Sequence, residues 1–357
     1  MFTAFAPGRV ELLGNHTDYN EGVVLSAALD LGVTVKGERT EDGAISLASA
    51  GFPEVKIPAG KPLKRAGAWS DYPLGIVATL RASGVEIGGF KAEFSATLPV
   101  GTGLSSSAAM EIATAVFLKD LFKLEMTPLE IAKLGRRAEN EFVGVGCGLL
   151  DQVSSVFGQK QHAIYLDCRA ETVERIPFPE GIELLVVQSG VPHALTGGEY
   201  DERRAECFEA ARLLGVPALR DATSAQLAAA NLPDVVGRRA AHVIGENERV
   251  FAAVEHLRSG DIAAFGRLMA ASHESSRVNF ENSTPELDLL VALAQLQPGV
   301  HGARLTGGGF GGAIVAAVDS AAATRVEEKI ISTYRQRTGV ETRATRCHIG
   351  DGAVPGA

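Results

Sequence analysis

Two stretches of this chain carry residues whose types and spacing could hold an anion and a polyhydroxyl compound. Residues 98–109 read Leu98-Pro99-Val100-Gly101-Thr102-Gly103-Leu104-Ser105-Ser106-Ser107-Ala108-Ala109 and continue into Met110-Glu111-Ile112-Ala113-Thr114-Ala115-Val116-Phe117-Leu118. Good helix formers with apolar residues at helical spacing predict a glycine loop that opens into a helix N-terminus. Free backbone N–H groups and the helix dipole favour a polyphosphate there. Glycines let the backbone approach the anion, and serine hydroxyls can bond phosphate oxygens or ligate Mg²⁺. No Gly-Lys-Ser/Thr follows, so this is not a Walker A loop. Taken alone, the segment reads equally well as a serine-capped helix after a flexible turn. Upstream, a strand-like Val10 to Leu13 leads into Gly14-Asn15-His16-Thr17-Asp18-Tyr19-Asn20. Such a polar cluster beside a glycine makes a hydrogen-bonded turn. It also supplies the short donors and acceptors on a rigid loop that alternate sugar hydroxyls require. A third segment, Leu305-Thr306-Gly307-Gly308-Gly309-Phe310-Gly311-Gly312, reads as a tight strand-connecting turn.

In chain order, segments 6–20, 98–109 and 305–312 resemble the three signature motifs of the GHMP small-molecule kinases. The first is most similar to the galactokinase version and matches it through Gly22-Val23-Val24-Leu25. Gly144-Val145-Gly146-Cys147-Gly148-Leu149-Leu150-Asp151-Gln152 resembles the family stretch that carries the catalytic Asp, which makes Asp151 the matching residue. Glu139, in Ala138-Glu139-Asn140, matches the carboxylate that binds Mg²⁺ together with a motif serine, here Ser107. Trp69-Ser70-Asp71-Tyr72 resembles a Trp-x-x-Tyr segment near the adenine, and Tyr200 matches a tyrosine that contacts the sugar. The likeness extends through Arg238-Arg239-Ala240-Ala241-His242-Val243-Ile244-Gly245-Glu246-Asn247-Glu248-Arg249 and covers nearly all of residues 6–318.

The resemblance implies an α+β fold of two domains with the active site between them. An N-terminal domain, 1–180, would resemble ribosomal protein S5 domain 2, and a C-terminal domain, 181–357, would be ferredoxin-like. ATP phosphates would lie on Gly101, Gly103, Leu104, Ser105, Ser106, Ser107 and Ala108, with Trp69 and Tyr72 near the base. Mg²⁺ would be held by Ser107 and Glu139. The sugar would lie against Asn15, His16, Asp18 and Tyr200. Asp151 would orient or deprotonate its anomeric hydroxyl, and Arg9 would stabilise the developing negative charge. The implied reaction is ATP-dependent phosphorylation of a monosaccharide at C1, galactose first.

Galactokinases have Asn where this chain has Glu11, and Glu where it has Asn15. In the family, that Glu reaches a sugar hydroxyl taken to be the one on C6. An uncharged Asn15 would admit C6-modified hexoses, acidic ones included, or N-acetylated ones as alternative substrates. A non-catalytic sugar-sensing regulator is a further alternative. Family members that lost catalysis show damage in the serine segment, which is intact here.

Composition bounds the remaining possibilities. The 357 residues are 46% hydrophobic with 40 glycines, enough for a large core. Lys and Arg number 34 against 43 Asp and Glu, and the net charge of −9 argues against nucleic acid as the main partner. No secretory leader opens the chain, and no stretch approaches the ~20 apolar residues of a membrane helix. Cys147, Cys168, Cys207 and Cys347 fit neither a zinc pattern nor a disulfide framework. A monomer in a reducing cytoplasm is the expectation.

The positioning elements are also legible. Thr127-Pro128-Leu129-Glu130 is a capping box that starts a helix through about Phe142. Ser283-Thr284-Pro285-Glu286 starts another. Residues 237–257 read as a long helix and 182–187 as a strand. Val315 and its neighbours make a strand, and 322–337 make a helix ended by Gly339. A last strand is expected at 340–347, and Arg9 is expected at the end of a turn.

Overall fold

The computed structural model describes residues 1–99, 103–191 and 198–355. The chain begins with β1 (Phe2–Leu13) and β2 (Val23–Arg39), a long antiparallel pair. Then follow β3 (Ile45–Ser49), β4 (Val55–Ile57), α1 (Asp71–Ala82), β5 (Phe90–Ala96), α2 (Ser106–Phe122), α3 (Pro128–Ala138), α4 (Leu150–Phe157), β6 (His162–Asp167) and β7 (Thr172–Pro177). The second half contains β8 (Ile182–Gln188), α5 (Glu199–Leu214), α6 (Ser224–Ala229), α7 (Asp234–Arg258), α8 (Ile262–Ser275), α9 (Pro285–Gln295), β9 (Val300–Thr306), β10 (Ala313–Asp319), α10 (Ala323–Thr338), β11 (Ala344–Cys347) and β12 (Val354–Pro355).

The first sheet runs β12-β1-β2-β5-β3-β4, with β6 also paired to β2 and β7 to β6. It draws on strands up to Pro177 and on the last strand, which returns to the edge of β1 through Ala4↔Pro355. The second sheet, β11-β8-β10-β9, is antiparallel throughout. The architecture is thus mixed α+β, as expected, and built on two sheets.

Both halves bury apolar residues on more than one side. In α2, Ala109, Ile112, Ala113, Val116, Phe117 and Leu118 are all buried, so this helix is apolar around its circumference and packs against both β1 and β2. Its position fixes where its N-terminus points. Along β8, Leu185 and Val187 join Ile314, Ala316 and Val318 in a core with α9 and α10. The alternate residues Leu184 and Val186, with Val315 and Ala317, face the other way and share one core with Ala4, Leu12 and Val33 of the first sheet. Val250, Phe265 and Met269 of α7 and α8 complete that shared core. A strand buried on both faces explains the unbroken apolar run of β8.

Local signals hold closely. Thr127 caps α3 in a capping box, Thr284 caps α9 ahead of a proline, and Gly339 ends α10 at φ 71°. Two differ. The helix at 127 gives way at Glu139 to a π-turn through Val143, and the last long strand shortens to Ala344–Cys347. Arg9 lies within β1, not at the end of a turn. The β1–β2 register shifts between Pro7 and Arg9 and again between Glu11 and Leu13, and such bulges re-aim side chains without ending the strand.

Candidate active site

The glycine loop does open into a helix. Gly103 (φ 69°) and Ser105 (φ 56°) adopt left-handed backbone, and α2 begins at Ser106. The N–H groups of Ser106, Ser107 and Ala108 therefore have no intrahelical acceptor and form an anion-facing end. Gly101 lies outside the described residues. The loop is clamped to β1: Arg9 N–H donates to the Leu104 carbonyl (3.1 Å), and Arg9 Nη1 donates to the Gly103 carbonyl (2.8 Å). A Cβ at Gly8 would lie 2.5 Å from the Leu104 oxygen, so only glycine allows this approach.

Asp151 comes from the first turn of α4 and meets the same arginine. Arg9 Nε donates to Oδ1 and Nη2 to Oδ2, each at 2.7 Å, in a bidentate pair. Ser105 Oγ donates to Oδ2 at 2.5 Å. Beside them, Glu139 starts the π-turn after α3 and is almost fully buried. It accepts from Gln152 Nε2 (2.8 Å), from Cys147 Sγ (3.2 Å) and from the Ser107 hydroxyl. Burial, and then the negative charge of Asp151, raise its carboxyl above the usual range. Glu111, wholly buried on α2, is pushed well above the usual carboxylate range by burial and by the charge of Glu139, and one of its oxygens has no partner among the described residues. Carboxylate and hydroxyl oxygens of this kind suit a hard cation such as Mg²⁺.

The polar loop after β1 is held from below by the C-terminal half. The backbone N–H groups of Gly14 and Asn15 both donate to Glu246 Oε2 on α7, at 2.9 and 3.0 Å, and Arg249 holds the other oxygen at 2.5 Å. Burial alone would raise the Glu246 carboxyl, but Arg249, His242 and Arg304 outweigh it and hold it at about 2. Asn247 accepts from Val23 N–H at 2.9 Å. His16, at φ 61°, stacks near Tyr200 and Phe280, and its ring nitrogens meet Tyr19 OH (2.9 Å) and the Gly308 carbonyl (3.0 Å). Burial lowers its pKa to about 3, so the ring is neutral. Asp18 packs on Gly148, where a Cβ would come 2.2 Å from its carboxylate. Burial, with Glu11 and Asp151 nearby, raises Asp18 to about 6.

These residues enclose a cavity of ≈570 Å³ between the two halves. Arg9, Glu11, Asn15, His16, Asp18, Glu139, Asp151 and Tyr200 line it, with Cys147, Gly307, Gly308 and Phe310. The sugar-facing and acid/base candidates read from the sequence are thus brought together. Trp69 and Tyr72 are not among the residues lining it. Trp69 packs against Phe52 and Phe94, while burial, and then the charge of Glu139 and Glu111, raise the Tyr72 hydroxyl. Asn15 lines the cavity, but its amide is engaged: Nδ2 donates to Glu11 Oε1 (2.9 Å) and to the Gly307 carbonyl (2.8 Å), and Oδ1 accepts from Asn282 (2.9 Å). Sequence reasoning missed Glu11 as a cavity residue, Glu246 as the loop's anchor and Gln152 as the bridge to Glu139. Only the positions of Glu11 and Gln152 inside recognised motifs, and of Glu246 inside the 238–249 run, signalled them.

Comparison with known proteins identifies the family. The galactokinase galactose-binding signature matches residues 1–39, the GHMP kinases N terminal domain matches 71–159, and the GHMP kinases C terminal domain matches 253–336. A galactokinase of Haemophilus influenzae is 39% identical over 98% of this chain and 94% of its own. One from Thermotoga neapolitana is 40% identical over 97% and 98%. The crystal structure of Lactococcus lactis galactokinase complexed with galactose superposes with a TM-score of 0.94 at 33% identity, covering 99% of this chain and 94% of that one. Methanococcus jannaschii mevalonate kinase shares the fold, with a TM-score of 0.70 at 22% identity.

Proposed function

This chain belongs to the galactokinase family of GHMP kinases, and we propose that it transfers the γ-phosphoryl group of ATP to the anomeric hydroxyl of galactose in the cavity between its two halves. The observation that carries this reading is the placement of Asp151. It is gripped by Arg9, bonded by Ser105 of the nucleotide loop, and exposed to the cavity that the 14–20 loop walls.

Phosphoryl transfer needs alignment and charge neutralisation more than covalent chemistry. The N-terminus of α2, with Ser106, Ser107 and Ala108, receives the phosphates. Arg9 and Ser105 take three of the roughly four acceptor positions of the Asp151 carboxylate. The part-exposed Asp151 carboxylate orients the anomeric O–H and accepts its proton as that oxygen bonds to the γ-phosphorus and the γ-phosphorus–oxygen bond to the ADP leaving group breaks. Arg9 keeps positive charge beside that oxygen. Asp18 and Tyr200 contact other hydroxyls, and the neutral, doubly bonded His16 fixes the loop that carries Asp18. Mg²⁺ would be held by Ser107 and Glu139, where it neutralises polyphosphate charge. Residues 1–180 and 181–357 form the two domains, with β12 completing the first sheet. The four free thiols suit a reducing cytoplasm.

The test is turnover of ATP with a panel of monosaccharides, with the product's phosphate position read by phosphorus NMR. Galactose should be phosphorylated at C1. Absence of ATP-dependent galactose 1-phosphate would overturn this reading.

A further inference from the structure

Glu11 stands in the cavity in a way that the polar loop does not account for. It lies two residues beyond Arg9 on β1, roughly 7 Å along the strand, and has 5% of its surface exposed. Its Oε1 is saturated by Asn15 Nδ2 (2.9 Å) and by Nη1 of Arg304 (3.0 Å). Arg304, on β9, is fully buried, and its Nε and Nη2 have no partner among the described residues. Its one side-chain ion pair among those residues is therefore spent on holding Glu11. Glu11 Oε2, by contrast, makes no hydrogen bond among the described residues, and Glu11 lines the cavity. The backbone is fixed as well, since Glu11 N–H donates to Thr306 Oγ1 and the Glu11 carbonyl accepts from it, both at 3.2 Å.

We propose that Glu11 is a specificity-determining substrate contact. Its free Oε2 accepts a hydrogen bond from a galactose hydroxyl on the side of the ring away from C1, at C4 or C6, while Arg304 and Asn15 hold the other oxygen. The proposal rests on the reading of the cavity as the sugar site. A carboxylate only accepts, so it selects a hydroxyl and repels an acid. With Asp18 and Asp151 also facing the cavity and Arg9 committed to Asp151, no free cation among the described lining residues would receive a sugar carboxylate. Acidic C6 groups, which an uncharged Asn15 alone would admit, are therefore excluded.

The experiment crosses substrate against enzyme. Wild-type kcat/KM is measured on galactose, 4-deoxy-D-galactose, 6-deoxy-D-galactose and galacturonate, and again in Glu11→Gln, whose folding is checked by thermal melting. In wild type, one deoxy sugar should lose about 10–100-fold relative to galactose, and galacturonate should not turn over. Glu11→Gln should lose a similar factor on galactose but less than about threefold on that same deoxy sugar. Deoxy sugars that both match galactose in wild type overturn the assignment, and that arm is independent of any folding defect in the variant. A Glu11→Gln loss equal on all sugars also overturns it. Absence of galactose turnover altogether overturns the sugar-kinase reading itself.

Discussion

At the scale of single residues, the reaction proposed above concentrates on Asp151. Replacing it with Ala removes orientation and proton acceptance but leaves the α2 N-terminus intact. Turnover should fall by at least about 10²–10⁴-fold while ATP binding, measured by calorimetry, persists; near-normal turnover would remove Asp151 from the mechanism. Asp18 gives a pH signature. Its carboxyl, raised to about 6, must be ionised to accept sugar hydroxyls. kcat/KM for galactose should therefore decline on the acid side with a midpoint near 6, and a profile flat down to pH 5 would contradict this. Motif matching singled out Arg9, Asp151, Ser105 and Glu139, and the structure brings Arg9, Ser105 and Asp151 into contact, with Glu139 lining the same cavity as Arg9 and Asp151. It could not find Glu11. A carboxylate mid-strand reads as a solvated side chain, and only the arginine at position 304, 293 residues away, makes it a buried, aimed one. Asn15 was legible as a cavity residue, but its amide is used up by partners from Gly307 and Asn282 that no local pattern announces.

At the scale of elements, α2 and α7 position the site. Gly103 holds φ 69° where the loop turns into α2, a conformation that a β-branched residue avoids. Gly103→Val should raise KM for ATP and lower kcat without loss of fold, and unchanged ATP kinetics would place the phosphates elsewhere. Glu246 on α7 accepts two backbone N–H groups of the sugar loop and pairs with Arg249. Glu246→Gln should cost about 3–5 kcal/mol of stability, read from denaturant midpoints, because it leaves Arg249 beside a neutral group. The sign with pH follows from its depressed carboxyl, about 2 against an ordinary 4.5. The stabilisation is fully present above 4.5 and is lost as pH falls toward 2. The variant should lack that part of the acid-induced loss. Helix starts were legible at Thr127 and Thr284 because capping is local chemistry. The π-turn at Glu139 was not, since it rests on a backbone bond five residues long, from Gly144 N–H to the Glu139 carbonyl (2.8 Å), that no side-chain pattern announces.

For the whole molecule, the division between halves is visible in the sheets but not in the core. The apolar run at 182–187 announced a strand, yet nothing in it told that alternate residues serve different cores. Leu184 and Val186 are packed with Ala4 and Leu12 although some 175 residues separate them in sequence. Synthesis reads the chain in one direction, so the N-terminal half emerges first. Its core then still lacks Val250, Phe265, Met269 and Val315. At ~5–20 residues per second, the remaining half takes about 10–35 s to arrive. During that interval the nascent chain exposes an apolar face that belongs against residues not yet made. An N-terminal half released early should therefore aggregate or be proteolysed sooner than the full chain.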